Sequence, residues 1–120
     1  MTREQQRIAI AEVCGWTARE DIENFWRAVD ASGNMTHELW MSESNVWAAG
    51  IPDYPHDLNA MHQAESILNA DQMVSYDYHL DRVVGNGRQA LNIDYFLWSA
   101  TASQRAEAFL RTIGKWEEAK

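Results

Sequence analysis

The sequence predicts an α+β domain, and three observations carry that prediction. From Met73 to Trp98 apolar and polar residues alternate on either side of a glycine turn, the pattern of a β-hairpin. Two T-x-x-Q capping boxes, at Thr2 and Thr101, each open an apolar stripe of helical period. A third such stripe follows Asp57, a natural N-cap. The 120 residues suit one domain, 1–120, and no linker, repeat or low-complexity tract divides them.

Taken in order, Thr2-Arg3-Glu4-Gln5 caps a first helix that runs through Ile8, Ala11 and Val13. Gly15 stops it, and Trp16 folds back on its last turn. Two readings stand for Thr17 to Gly50. Ile22, Phe25, Trp26 and Val29 have helical spacing, whereas Phe25 to Val29 also has strand composition and Ser32-Gly33-Asn34 is a turn leading to Met35–Met41. The strand pair is preferred. Pro52 and Pro55 make the next segment a loop holding Ile51 and Tyr54. Asp57 then starts a helix with Leu58, Met61, Ala64 and Leu68 on one side, which Asn69-Ala70-Asp71 ends.

In the hairpin, Val74, Tyr76, Tyr78 and Leu80 alternate with Ser75, Asp77, His79 and Asp81. Gly85-Asn86-Gly87 turns the chain, and Leu91, Ile93, Tyr95 and Leu97 return it. Thr101 then caps a helix carrying Ala106, Phe109, Leu110 and Ile113, closed by Gly114. The expectation is a small antiparallel sheet with a C-terminal β-hairpin (about 73–98), packed by about three helices.

Composition narrows the function. Ten basic residues against 18 acidic give a net charge of −8, and the basic residues are scattered singly, which disfavours nucleic acid as a partner. An acidic protein of this kind also suits docking on a basic one. No apolar run is long enough for a membrane helix, and a polar N-terminus with a lone cysteine, Cys14, points to the cytoplasm. Six tryptophans, at 16, 26, 40, 47, 98 and 116, either fill the core or line an aromatic pocket or subunit interface.

Catalytic and metal motifs are missing from the pattern. His62 and Glu65 are spaced as a surface i, i+3 pair, and His37, His56 and His79 are too scattered for a zinc set. Cys14 falls at a helix C-terminus, where the dipole opposes a thiolate. The expectation is a binding protein without catalysis, metal or cofactor. Its candidate site is the entry to the last helix. Trp98 and Tyr78, with Tyr54 and His56, would stack on a ligand, while Thr101, the amides of Ala102 and Ser103, and Arg105 would hold an anion.

Pro52-x-Tyr54-x-x-Asp57-Leu58-Asn59-Ala60-Met61-His62-x-Ala64-Glu65, followed by Ala100-Thr101-Ala102-x-x-Arg105 through Gly114-x-Trp116, resembles the phage ABA-sandwich domain family. Ile8-Ala9-x-Ala11-x-x-Cys14-Gly15-Trp16 fits as well. The resemblance implies a layered α–β–α sandwich and a small accessory protein of a bacteriophage or prophage, with no catalytic residues to carry over. Two functions follow by analogy of setting, both directed against host defence. One is sequestration of a nucleotide-derived immune signal, as a homo-oligomer in the cytoplasm of an infected or lysogenic cell. The other is inhibition of a nuclease or CRISPR-type defence complex by acidic protein contact.

Overall fold

A computed structural model describes residues 1–85 and 100–118. In chain order its elements are α1 (Arg3–Val13), β1 (Thr17–Ile22), β2 (Phe25–Val29) and α2 (Glu43–Asn45), which continues as a wide turn over Val46–Gly50. A tight turn at Tyr54–His56 precedes α3 (Leu58–Glu65), α4 (Ala70–Gly85) and α5 (Ala102–Thr112). The fold is α+β, with one two-stranded antiparallel sheet among the described residues, and that sheet is N-terminal.

α1 and α5 end as their sequences direct. At Thr2 the hydroxyl accepts from the Gln5 amide (3.1 Å) while Gln5 Oε1 accepts from the Thr2 amide (2.8 Å). Thr101 and Gln104 repeat the exchange at 3.1 and 2.9 Å. Each helix stops at a glycine of positive φ, Gly15 (91°) and Gly114 (75°). The amides of Trp16 and Lys115 reach back to the Ala11 and Leu110 carbonyls, which completes a Schellman cap on each. Between these caps, α1 buries Ile10 and Ala11, and α5 buries Ala106, Ala108, Phe109 and Leu110. They meet Ala60, Met61 and Ala64 of α3 and Tyr76 and Leu80 of α4 in one core cluster.

α4 overturns the first arm of the expected hairpin: Val74 to Leu80 is helical, not a strand. The alternating apolar residues are two i, i+4 pairs on different sides of that helix. Tyr76 and Leu80 are 1% and 2% exposed, whereas Val74 and Tyr78 are 72% and 57% exposed. Four apolar residues of period two therefore serve a helix as one buried pair and one exposed pair. Asn69 also does not merely close α3. Its Oδ1 accepts from the Gln72 amide (2.8 Å) and Gln72 Oε1 accepts from the Asn69 amide (2.9 Å), a third capping box that opens α4. The returning arm, Leu91–Leu97, the Asn86-Gly87 part of the turn and Trp98 lie outside the described residues.

In the N-terminal region the strand reading holds for Phe25–Val29, and the helical alternative does not. Its main partner is Thr17–Ile22, paired Thr17 to Val29 and Ala18 to Ala28, with left-handed Asn24 (φ 69°) in the turn. The Ser32-Gly33-Asn34 turn forms as expected. Asp30 Oδ1 accepts from the Ser32 and Asn34 amides, both at 2.9 Å, and Gly33 takes φ 87°. The chain then returns along the other edge of β2, where Trp26 and Trp40 exchange backbone hydrogen bonds of 2.7 and 2.8 Å. The Val46–Gly50 turn packs on β2, where Ala28, Val29 and Val46 are buried.

Two substitutions test this register. Leu80→Ala should cost about 2–5 kcal/mol in chemical denaturation, whereas Val74→Ala should stay within about 0.5 kcal/mol. Equal losses would place both residues on one face and restore the strand. Gly15→Ala should also destabilise, because its Cβ would stand 2.7 Å from the Ala31 Cβ at a left-handed φ.

Candidate functional site

The N-terminus of α5 carries the expected cap, but its arginine faces inward. Thr101 takes the Gln104 amide, leaving Ala102 and Ser103 as the amides without that cap. Arg105 is 7% exposed. Its Nε donates to the Ala100 carbonyl (3.2 Å), and its Nη1 donates to both carboxylate oxygens of Glu65 (3.2 Å each). The anion that Arg105 holds is therefore a side chain of α3. Glu65 is accordingly more than the surface partner of His62, whose Nδ1 stands 3.5 Å from Oε1. The buried Tyr76 hydroxyl lies near this pair without a hydrogen bond of normal geometry. Burial first, and the Glu65 charge second, push its phenol well above the usual range.

The other expected ligand residues stand apart. Tyr54 is core, and its hydroxyl accepts from Trp16 Nε1 at 2.9 Å. It borders a cavity of about 270 Å³ together with Cys14 and Trp16, and burial raises the Cys14 thiol above its ordinary pKa. His56 is exposed, with Nδ1 3.6 Å from Asp53 Oδ1. Asp53 is also hydrogen-bonded to Arg3, and chiefly for that reason its carboxyl titrates below the usual carboxylate range. Tyr78 lies on the open side of α4.

That side of α4 forms a cleft with α5 of about 540 Å³, bordered by Tyr78, His79, Arg82, Val83, Glu107 and Arg111. The Arg82 guanidinium sits 5.4 Å from the Tyr78 ring centre, and Tyr78 meets His79 edge-on at 5.3 Å. Arg111 lies over Trp116 at 5.2 Å and is tied to Glu107 (2.9 Å) and Glu118 (2.7 Å). Burial, aided by Arg111 and Arg82, lowers the His79 pKa and so favours the neutral imidazole. Chemically this is a modest aromatic and cationic cleft. Its spacings, Tyr78-x-x-x-Arg82 and Glu107-x-x-x-Arg111, are i, i+4 pairs, and the first becomes visible only once 70–85 is read as a helix.

The N-terminal sheet presents a different surface. Ile22, Phe25, Met35, Leu39 and Met41 are exposed, Met41 by 76%. The pairings Ile22 to Phe25 and Trp26 to Trp40 put Ile22, Phe25, Leu39 and Met41 on the face opposite the two half-buried tryptophans. Asp21, Glu23 and Glu43 are exposed close to them in the chain, whereas Glu20, which pairs with Trp26, and Glu38 fall on the tryptophan face. Arg27 is already engaged by Asp21 at 2.6 Å. The surface is a cluster of exposed apolar side chains with carboxylates near it in the chain, and exposed apolar patches bordered by polar residues mark protein contact sites. Among the described residues no helix is long and apolar enough to cross a membrane.

Removing Glu65 tests the inward role of Arg105. Glu65→Gln should cost about 3–5 kcal/mol, the loss on stranding one partner of a buried pair. Tyr76→Phe should be nearly neutral at pH 7. The unfolded chain releases the tyrosine proton near pH 10, before the folded protein does, so the contribution of the neutral phenol is full below about pH 10 and falls as pH rises. Tyr76→Phe should therefore resist alkaline unfolding better than the parent, as followed by circular dichroism. A steeper alkaline loss in the variant would refute this.

Comparison of the chain with protein-family models, with curated proteins and with solved structures finds no match, so its site is read from its own chemistry.

Proposed function

We propose that this protein acts by binding and not by catalysis, as an acidic inhibitor that docks on a basic surface of a host defence complex of the nuclease or CRISPR type. The observation that carries the reading is the N-terminal patch of exposed Ile22, Phe25, Leu39 and Met41, in a segment that also exposes Asp21, Glu23 and Glu43. Its apolar centre supplies contact area, and the net charge of −8 steers it towards a basic partner. The phage setting comes from the family resemblance. The layered α–β–α arrangement, self-association as a homo-oligomer and a cytoplasmic place in the infected or lysogenic cell belong to the same proposal.

A second reading draws on the α4–α5 cleft, whose volume of about 540 Å³ falls within the usual range for a small ligand. There the protein would sequester a nucleotide-derived signal, with Tyr78 stacking on a base and Arg82 meeting phosphate. Arg105, bound to Glu65, supports this less than its place in the sequence implies.

Calorimetry separates the two. The docking reading expects a purified defence nuclease or CRISPR complex to bind, with affinity falling as salt rises. Ile22→Glu with Met41→Glu should weaken that binding at least about tenfold, or 1.4 kcal/mol. A well-folded protein that ignores every such complex, yet binds a cyclic dinucleotide or ADP-ribose derivative through Arg82, would replace the first reading with the second.

A further inference from the structure

One face of α1 lines a groove, and its Ile8 packs at the same time against the edge of the core. Glu4, Ile8 and Glu12 follow one another at i, i+4 and i+8 and, with Ser44, Trp47 and Ala48, border a cavity of about 490 Å³. Trp47 is half-buried and packs partly on the core cluster, so its indole is fixed. Neither Glu4 nor Glu12 forms a salt bridge among the described residues. Arg3 pairs with Asp53, and Arg7 donates to the carbonyls of Ala48, Ile51 and Pro52. Glu12 is also misplaced for the helix itself. It lies near the negative end of the α1 dipole, in a last turn that has no basic residue. An indole, an aliphatic side chain at Ile8 and two carboxylates without a salt bridge among the described residues are the surroundings in which a guanidinium or ammonium group is stabilised.

The geometry points to this groove as the receptor for a cationic side chain, an arginine above all, presented by the docked partner. The inference rests on the docking reading and deepens it. The segment that forms the groove's second wall, Glu43 to Gly50, also packs against β1 and β2, so groove and apolar patch adjoin. A partner covering Met41 would have an arginine within reach of Trp47. The group it meets is held by charge and by the ring face, and no bond is made or broken.

The test uses the full chain labelled with ¹⁵N at its six tryptophan indoles, with Trp47→Phe assigning the Trp47 signal. The probe is the capped tripeptide Leu-Arg-Leu, with Leu-citrulline-Leu as its neutral match. The arginine peptide should shift the Trp47 indole, and the citrulline peptide should bind at least about tenfold more weakly, a 1.4 kcal/mol difference. Glu4→Gln with Glu12→Gln should abolish the shift while leaving thermal stability nearly unchanged, because the loss of Glu4 from the first turn of α1 and of Glu12 from its last turn act in opposite directions. Equal binding of the two peptides, an unmoved Trp47 signal, or full binding by the double variant would each overturn the inference. If the arginine peptide binds as expected and no defence complex does, the groove stands and the docking reading falls. If a complex binds the double variant undiminished, the groove falls alone.

Discussion

The ion pair between Glu65 and Arg105 is the contact on which most of the molecule depends. It joins the end of α3 to the first turn of α5, residues 40 apart in the chain, at 3.2 Å, with both side chains largely out of water. Two buried charges are stable together and costly apart, so the pair specifies where α5 begins as much as it adds stability. Its neighbours follow from it. Ala100 accepts from Arg105, Thr101 caps the helix one residue later, and Tyr76 of α4 is buried close by. The Phe109 and Leu110 side chains then fall where α1, α3 and α4 converge.

This arrangement divides the protein chemically. Among its arginines, Arg105, Arg3, Arg7, Arg27 and Arg111 all meet carboxylates or carbonyls of the same chain. Several carboxylates of the N-terminal half have no such partner. The charge left over is negative, it faces outward around the sheet and α1, and it accompanies exposed apolar side chains. A surface of that composition is suited to a basic protein and poorly suited to an anion. Where cationic and aromatic groups do adjoin, in the α4–α5 cleft, Glu107 and Glu118 offset Arg111 and leave Arg82 as the cation with no carboxylate bound to it among the described residues.

Features whose cause is local were legible in the sequence. The capping boxes at Thr2 and Thr101, the glycine stops, the Asp57 cap and the turn at Gly33 each bond within a few residues, and each stands where it was expected. Val74 to Leu80 suits both structures because residues i and i+4 share a side in a strand and in a helix, and the run is too short for the i, i+2 pairs to decide; Asn69-x-x-Gln72 opens α4 where Asn69 also reads as a helix end. β1 gave no warning. Thr-Ala-Arg-Glu-Asp-Ile lacks strand composition and is held by backbone pairing to β2 with little burial of its own. The role of Arg105 was hidden for the same reason, since its partner is distant in sequence and only the fold brings them together.

The claim that Arg105 serves the fold is open to one direct measurement: a double-mutant cycle on stability using Glu65→Gln and Arg105→Met. The account predicts strong coupling, in the range of about 1.5–3 kcal/mol, so that the double variant loses clearly less than the sum of the two single losses. Coupling within about 0.5 kcal/mol of zero would contradict it. Arg105 would then be a guanidinium that the fold does not need.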